Sequence, residues 1–145
     1  MKTIVTITSA QRDIAITPLR RTLCRLVQDV LEYEKIPPTR VHIAFLNDSE
    51  VRSLHKKYFD DPSPTDCMTF PVDSVSSCGL PGGFLGEIVV CPKTARLFND
   101  PVSLYVVHAL LHLIGYTDTT DRARQRMKRQ ERMHMMRLEK KGLTI

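Results

Sequence analysis

The sequence predicts an α+β protein of the α/β type. It is read as one domain over residues 1–145, with one mixed β-sheet of about four strands packed against helices. Three observations carry this. β-Branched and alternating apolar segments recur through the first two thirds of the chain, segments of helical period interleave with them, and neither an internal repeat nor a linker divides the 145 residues. A chain of that length is enough for one substantial core.

The elements follow in order. TIVTIT, 3–8, suits a strand by its β-branched content. Thr17-Pro18 opens a helix, a hydroxyl cap followed by proline in the first turn. Leu19, Leu23, Leu26, Val27, Val30 and Leu31 then keep helical spacing until Pro37-Pro38 stops it. RVHIAFL, 40–46, alternates as a half-buried strand, with His42 on the face opposite Val41, Ile43 and Phe45 and read as structural. NDSE, 47–50, caps a short helix carrying Val51, Leu54 and Tyr58, with His55 and Lys57 on its wet side. DDPSPTD, 60–66, is a loop, CMTFPV, 67–72, a strand ended or edged by Pro71, and SVSSCGLPGG, 74–83, the best candidate for a mobile loop. FLGEIVVC, 84–91, is a buried strand and 93–98 a short helix. Asn99-Asp100-Pro101 caps the next helix, which Gly115 ends. A basic helix closes the chain over about 121–140, with Ala123, Met127, Gln130, His134 and Leu138 on one stripe and His134 read as packing or surface.

Charge and cysteine usage bound the function. The net charge of +5 permits a polyanionic partner without requiring one. Residues 122–145 hold nine Lys/Arg against Glu131 and Glu139, which fits a solvated helix face or a nucleic-acid contact beside an active site. Cys24, Cys67, Cys78 and Cys91 lack metal-site spacing and read as buried or incidental thiols. No apolar run is long enough for a membrane span and the N-terminus is a poor signal peptide, so the expectation is a cytoplasmic protein with no membrane partner.

The chemistry concentrates in HALLHLIGYTD, 108–118. On a helix, residues i and i+4 share a face, so His108 and His112 can direct two imidazoles to one point. By chance, some HxxxH arises in about one in six chains of this histidine content. With Gly three residues on, and His, Asp or Glu at the sixth, the figure falls to about one in a thousand. Gly115 lets the backbone reverse, and Asp118 can approach the same point from the turn. His108, His112 and Asp118 thus form a candidate three-ligand set for Zn2+ or another transition metal, at the end of a central helix. The alternative is two core histidines and a capping aspartate. Metzincin proteases share the spacing, but their base follows the first histidine, where this chain has Ala109.

Three ordered blocks, spanning roughly residues 40–118, resemble the YbeY family of bacterial endoribonucleases linked to ribosomal RNA maturation. HALLHLIGYTD is similar to the family's HGxLHLxGYDH, YFDDPSPTDCMTFP, 58–71, to its YRxxDxPTDVLSFP, and LGEIVVCP, 85–92, to its LGDIxICP. The resemblance implies a zinc-dependent endoribonuclease specific for single strands. It would act in maturation of the 16S 3' end and in ribosome quality control, with the small ribosomal subunit or its proteins as partners. It implies His108 and His112 as metal ligands, with Asp118 where the family has a third histidine, and Phe59 where it has an arginine thought to contribute to RNA cleavage. Ala109 replaces a glycine, and the segment from Cys91 to His108 is shorter than usual.

On that basis the three ligands act through the metal, whose acidified water supplies the hydroxide that attacks the phosphodiester. An anionic Asp118 makes the metal a weaker Lewis acid than three imidazoles would. Asp66 orients a ligand or water, or caps its turn. Arg122, Arg124 and Arg126 are the candidates to guide RNA. Lys56 and Lys57 offer phosphate contacts or are simply surface lysines. A ribosome-associated binding or assembly factor with weak or no catalysis is the alternative function, and a metalloprotease a distant one.

Overall fold

The computed structural model describes residues 2–59 and 67–145. Four strands, β1 (Ile4–Ala10), β2 (Arg40–Leu46), β3 (Cys67–Pro71) and β4 (Gly86–Val90), form one sheet in the order β1-β2-β4-β3. β1, β2 and β4 are parallel, and β3 runs antiparallel to β4 at the edge. Among the described residues five α-helices accompany them: α1 (Arg20–Tyr33), α2 (Asp48–Phe59), α3 (Pro92–Leu97), α4 (Val102–Leu113) and α5 (Asp121–Lys140). The mixed four-strand sheet and single domain agree with the sequence reading.

The period-2 alternation of the strands splits the apolar side chains between two faces. Val41, Ile43 and Phe45 of β2, with Ile88 and Val90 of β4, meet Leu23, Leu26, Val30 and Leu31 of α1 and the buried side of α4 in the main core. Ala44, Met68 and Val89 point the other way and are covered by Val51 and Leu54 of α2. α4 is therefore enclosed between sheet, α1 and α5, with Leu104, His108 and His112 partly open to solvent and its last turn, 110–113, set against the sheet. A close approach pins that turn. At Gly86 (φ +155°) a Cβ would lie 2.6 Å from the Phe70 carbonyl oxygen and 2.8 Å from Leu113 Cδ1, so only glycine lets α4 come this near the sheet.

The edge strand β1 is not left bare. Arg20, Cys24 and Gln28, one turn apart along α1, direct their side chains to the carbonyls of Ile7 (3.1 Å), Val5 (3.9 Å) and Thr3 (2.9 Å). Outward carbonyls that could template a foreign strand are thereby occupied. His42 lies on the opposite face of β2 from the main core, bonded to the hydroxyls of Thr6 (2.7 Å) and Thr8 (3.0 Å), a structural role as expected.

Helix ends depart from the sequence reading in particular ways. Asn47 and Glu50 form the expected reciprocal cap: Asn47 Oδ1 accepts the Glu50 N–H at 2.8 Å and Asn47 Nδ2 donates to Glu50 Oε1 at 3.3 Å. Thr17-Pro18 instead makes a single 3-10 turn, and α1 starts at Arg20 with no side-chain cap. Asn99-Asp100 does not cap α4 either. Pro101 takes the cap position and Asp100 Oδ2 accepts from the Tyr105 hydroxyl at 3.0 Å. α1 ends at Tyr33, before Pro37-Pro38, because Lys35 turns left-handed (φ 60°) and the Ile36 N–H reaches back to the Leu31 carbonyl at 2.9 Å.

Candidate metal centre

α4 and the turn after it build the site. Gly115 (φ 112°) closes α4 with the Tyr116 N–H bonded to the Leu111 carbonyl at 2.9 Å. This closure brings the Tyr116 carbonyl under the helix end, where His112 Nδ1–H donates to it at 3.0 Å. His108 Nδ1–H donates to the carboxylate of Glu131, which reaches across from α5. With both Nδ1 atoms donating, Nε2 is the nitrogen that carries the lone pair in the neutral form of each imidazole, and the two Nε2 atoms lie 3.1 Å apart. Asp118 Oδ2 is 3.7 Å from His112 Nε2, and the ligand atoms of His108, His112 and Asp118 all fall within 4.8 Å of one another.

These residues fit a transition metal. Two nitrogen lone pairs at this separation repel unless a proton or a metal cation lies between them. Zinc–nitrogen bonds at tetrahedral angles hold their ligand atoms about 3.3 Å apart, close to what the imidazoles already adopt. The two-nitrogen, one-oxygen set suits zinc and admits other divalent transition ions. Both histidines are about three-quarters buried, with 30% and 25% of their side chains exposed, while Asp118 faces solvent. A hydrated ion can reach the centre from that side.

The surroundings hold the turn in place. Arg124 Nη1 donates to the Asp118 carbonyl at 3.0 Å, and its other arm pairs with Asp121. Thr120 caps α5 by accepting the Ala123 N–H at 3.1 Å. The Tyr116 hydroxyl donates to Glu34 Oε1 at 2.7 Å, and Gln130 donates to Glu34 Oε2 at 3.0 Å. Burial first, and then the Glu34 hydrogen bond and charge, push the Tyr116 phenol up to about 12, so it stays protonated at any working pH. His134 is fully buried beside this network, with Arg137 donating to its Nδ1 at 3.1 Å. Burial pulls its pKa below the ordinary value, against the opposing pull of Glu34 and Asp29. It is a packed side chain, one of the two roles read for it.

The other candidates divide. Arg122 and Arg126 flank a cleft of about 340 Å³ beside the Gly115–Thr117 turn, with Thr120 at its rim and the Arg126 guanidinium 5.2 Å from the centre of the Tyr116 ring. Arg124 is engaged in bracing the turn. Lys56 and Lys57 are exposed on α2, on the sheet face away from α4, with the Lys57 ammonium 5.4 Å from the Tyr58 ring centre. Asp66 lies outside the described residues. Cys24, Cys78 and Cys91 are free thiols, the last two buried, as expected, and Cys67 is half-buried in β3. Glu131 went unread as a site residue in the sequence. Its signal was its place four residues after Met127 on the inward stripe of α5, an acid on the buried side of a basic helix.

The sheet, the central helix and the convergent side chains define an α+β protein built around a candidate metal centre of two imidazoles and a carboxylate. The family profile described as Endoribonuclease YbeY matches residues 5–139. Proteins named Endoribonuclease YbeY from Chlamydia trachomatis serovar D and Protochlamydia amoebophila are 38% and 39% identical to it, over 86% and 83% of this chain and 81% and 84% of theirs. The chain belongs to the YbeY family. Its fold is also that of the solution structure of TM1509 from Thermotoga maritima, with a TM-score of 0.54 at 22% identity, covering 90% of this chain and 86% of that one.

Proposed function

We propose that this protein is a zinc-dependent endoribonuclease that cleaves single-stranded RNA in the cytoplasm. We place it in maturation of the 16S 3' end and ribosome quality control, acting with the small subunit or its proteins. The observation that supports this most is the convergence of His108, His112 and Asp118 on one point in a chain of an endoribonuclease family. When bound, the metal supplies Lewis acidity and an acidified water. The chain's own groups do the rest. His108 and His112 are held through Nδ1 with their Nε2 atoms aimed at one point, Asp118 adds the anionic ligand from the solvent side, and Arg124 braces the Asp118 turn.

In this reading Arg122 and Arg126 guide the RNA, because their guanidiniums border the cleft next to the ligand turn. The double change Arg122→Gln, Arg126→Gln is expected to reduce the salt slope of RNA binding by about 1.4, for two phosphate contacts on a single strand. A slope equal to the parent's removes both arginines from the interface.

A metalloprotease is disfavoured, since Ala109 is fully buried in the core and offers no base. An assembly factor with weak catalysis remains as a second reading, favoured by Phe59 in place of the family's arginine. The deciding experiment joins elemental analysis of the purified protein to cleavage of a labelled single-stranded RNA. Cleavage should stop with chelator and return with zinc. Binding of RNA and ribosomal subunits with no metal-dependent cleavage would select the assembly reading.

A further inference from the structure

We infer that Glu131 is a positioning residue of the metal centre, whose carboxylate fixes the tautomer and ring direction of His108 and thereby sets the affinity for a divalent ion. This rests on the metal-site reading above. Three observations carry it. The carboxylate bonds His108 Nδ1 directly, leaving Nε2 as the atom aimed at His112 Nε2 and Asp118. The Glu131 side chain is only 15% exposed, although it sits on a helix whose neighbouring residues Arg129 and Arg132 are exposed cations. And the two imidazoles are held unequally: His112 donates to the neutral Tyr116 carbonyl, His108 to an anion.

A mere strut between α4 and α5 does not account for this choice. Burying a carboxylate costs desolvation, which one hydrogen bond from an imidazole offsets less than the forked pair of a guanidinium would. An imidazole that must present its other nitrogen to a cation is a different case. A carboxylate on Nδ1–H locks the required tautomer and raises the electron density at Nε2. Glu131 also adds a second negative charge beside Asp118, so a divalent ion leaves the centre neutral. Losing such a partner typically weakens metal binding 10–100-fold.

The test uses the full chain, metal-free and loaded with Zn2+. The affinity is measured by competition with a chromophoric chelator, and the His108 tautomer is read from its imidazole nitrogen chemical shifts in the metal-free state. Glu131→Ala is expected to bind Zn2+ about 10–100-fold more weakly. His108 should also shift from the Nδ1–H form toward the Nε2–H form that a solvated neutral imidazole favours. Glu131→Gln keeps an acceptor without the charge, so its tautomer should stay Nδ1–H while its affinity falls by less than in Glu131→Ala. This isosteric variant gives the reading even if the alanine variant folds poorly. Parental Zn2+ affinity in Glu131→Gln and in a folded Glu131→Ala overturns the inference, and a lowered melting temperature with unchanged affinity assigns Glu131 to packing alone. If the parent protein takes up no Zn2+ while the tautomer still follows Glu131, the metal-site reading is what has failed.

Discussion

Replacing His112 with alanine is expected to weaken divalent-metal binding by more than about 100-fold, beyond the range for loss of a supporting residue, and to reduce RNA cleavage to background. The substitution removes one of three ligand atoms, whose Nε2 lies 3.1 Å from His108 Nε2 and 3.7 Å from Asp118 Oδ2. It also deletes the Nδ1–H bond to the Tyr116 carbonyl at 3.0 Å, so the turn that delivers Asp118 loses an anchor. The fold should survive. Leu111 and Leu113 on either side keep their buried contacts, Gly115 still closes the helix, and alanine is a good helix former. Circular dichroism with metal analysis on the same sample separates loss of the ion from loss of structure. A folded His112→Ala protein that retains full metal content, or that cuts RNA at the parental rate, would remove the centre from the mechanism.

Much of this centre could be read before any coordinates, because its parts are local. A four-residue spacing places His108 and His112 on one face whatever the rest of the chain does, and Gly115 marks the reversal that swings Asp118 back. The bounds of α5 were legible for a similar reason, with Thr120 capping a segment of unbroken helical period. The parts that escaped depend on distant partners. Glu131 meets His108 across 23 residues and two helices, and no spacing rule joins them. The Glu34–Tyr116–Gln130 network is equally non-local, as is the insertion of β4 between β2 and β3. The misread caps share another cause. Thr17 and Asp100 directly precede a proline and Asn99 is left-handed (φ 56°), and the backbone at each helix start, a 3-10 turn over Thr17–Leu19 or an extended Pro101 at the cap, carries no side-chain cap bond.

A gain of function should follow from Phe59→Arg. Cleavage of an RNA phosphodiester builds negative charge on the phosphoryl oxygens, and a guanidinium placed there stabilises that charge with two parallel hydrogen bonds. The sequence resemblance described above implies an arginine active in RNA cleavage at the position of Phe59, and phenylalanine brings no charge to that task. α2 ends at Phe59, and the chain returns as β3, which packs against the metal-bearing α4. Because a single well-placed donor is commonly worth 10²–10³ in rate, Phe59→Arg is expected to raise single-turnover cleavage about 100-fold while leaving Zn2+ affinity unchanged. Phe59→Lys is the informative comparison. A flexible point charge should strengthen RNA binding at low salt yet recover less of the rate, because it cannot match a phosphate bidentately. Should both variants tighten binding equally and neither cleave faster, the missing arginine is not what limits this chain, and the assembly-factor reading gains the stronger claim.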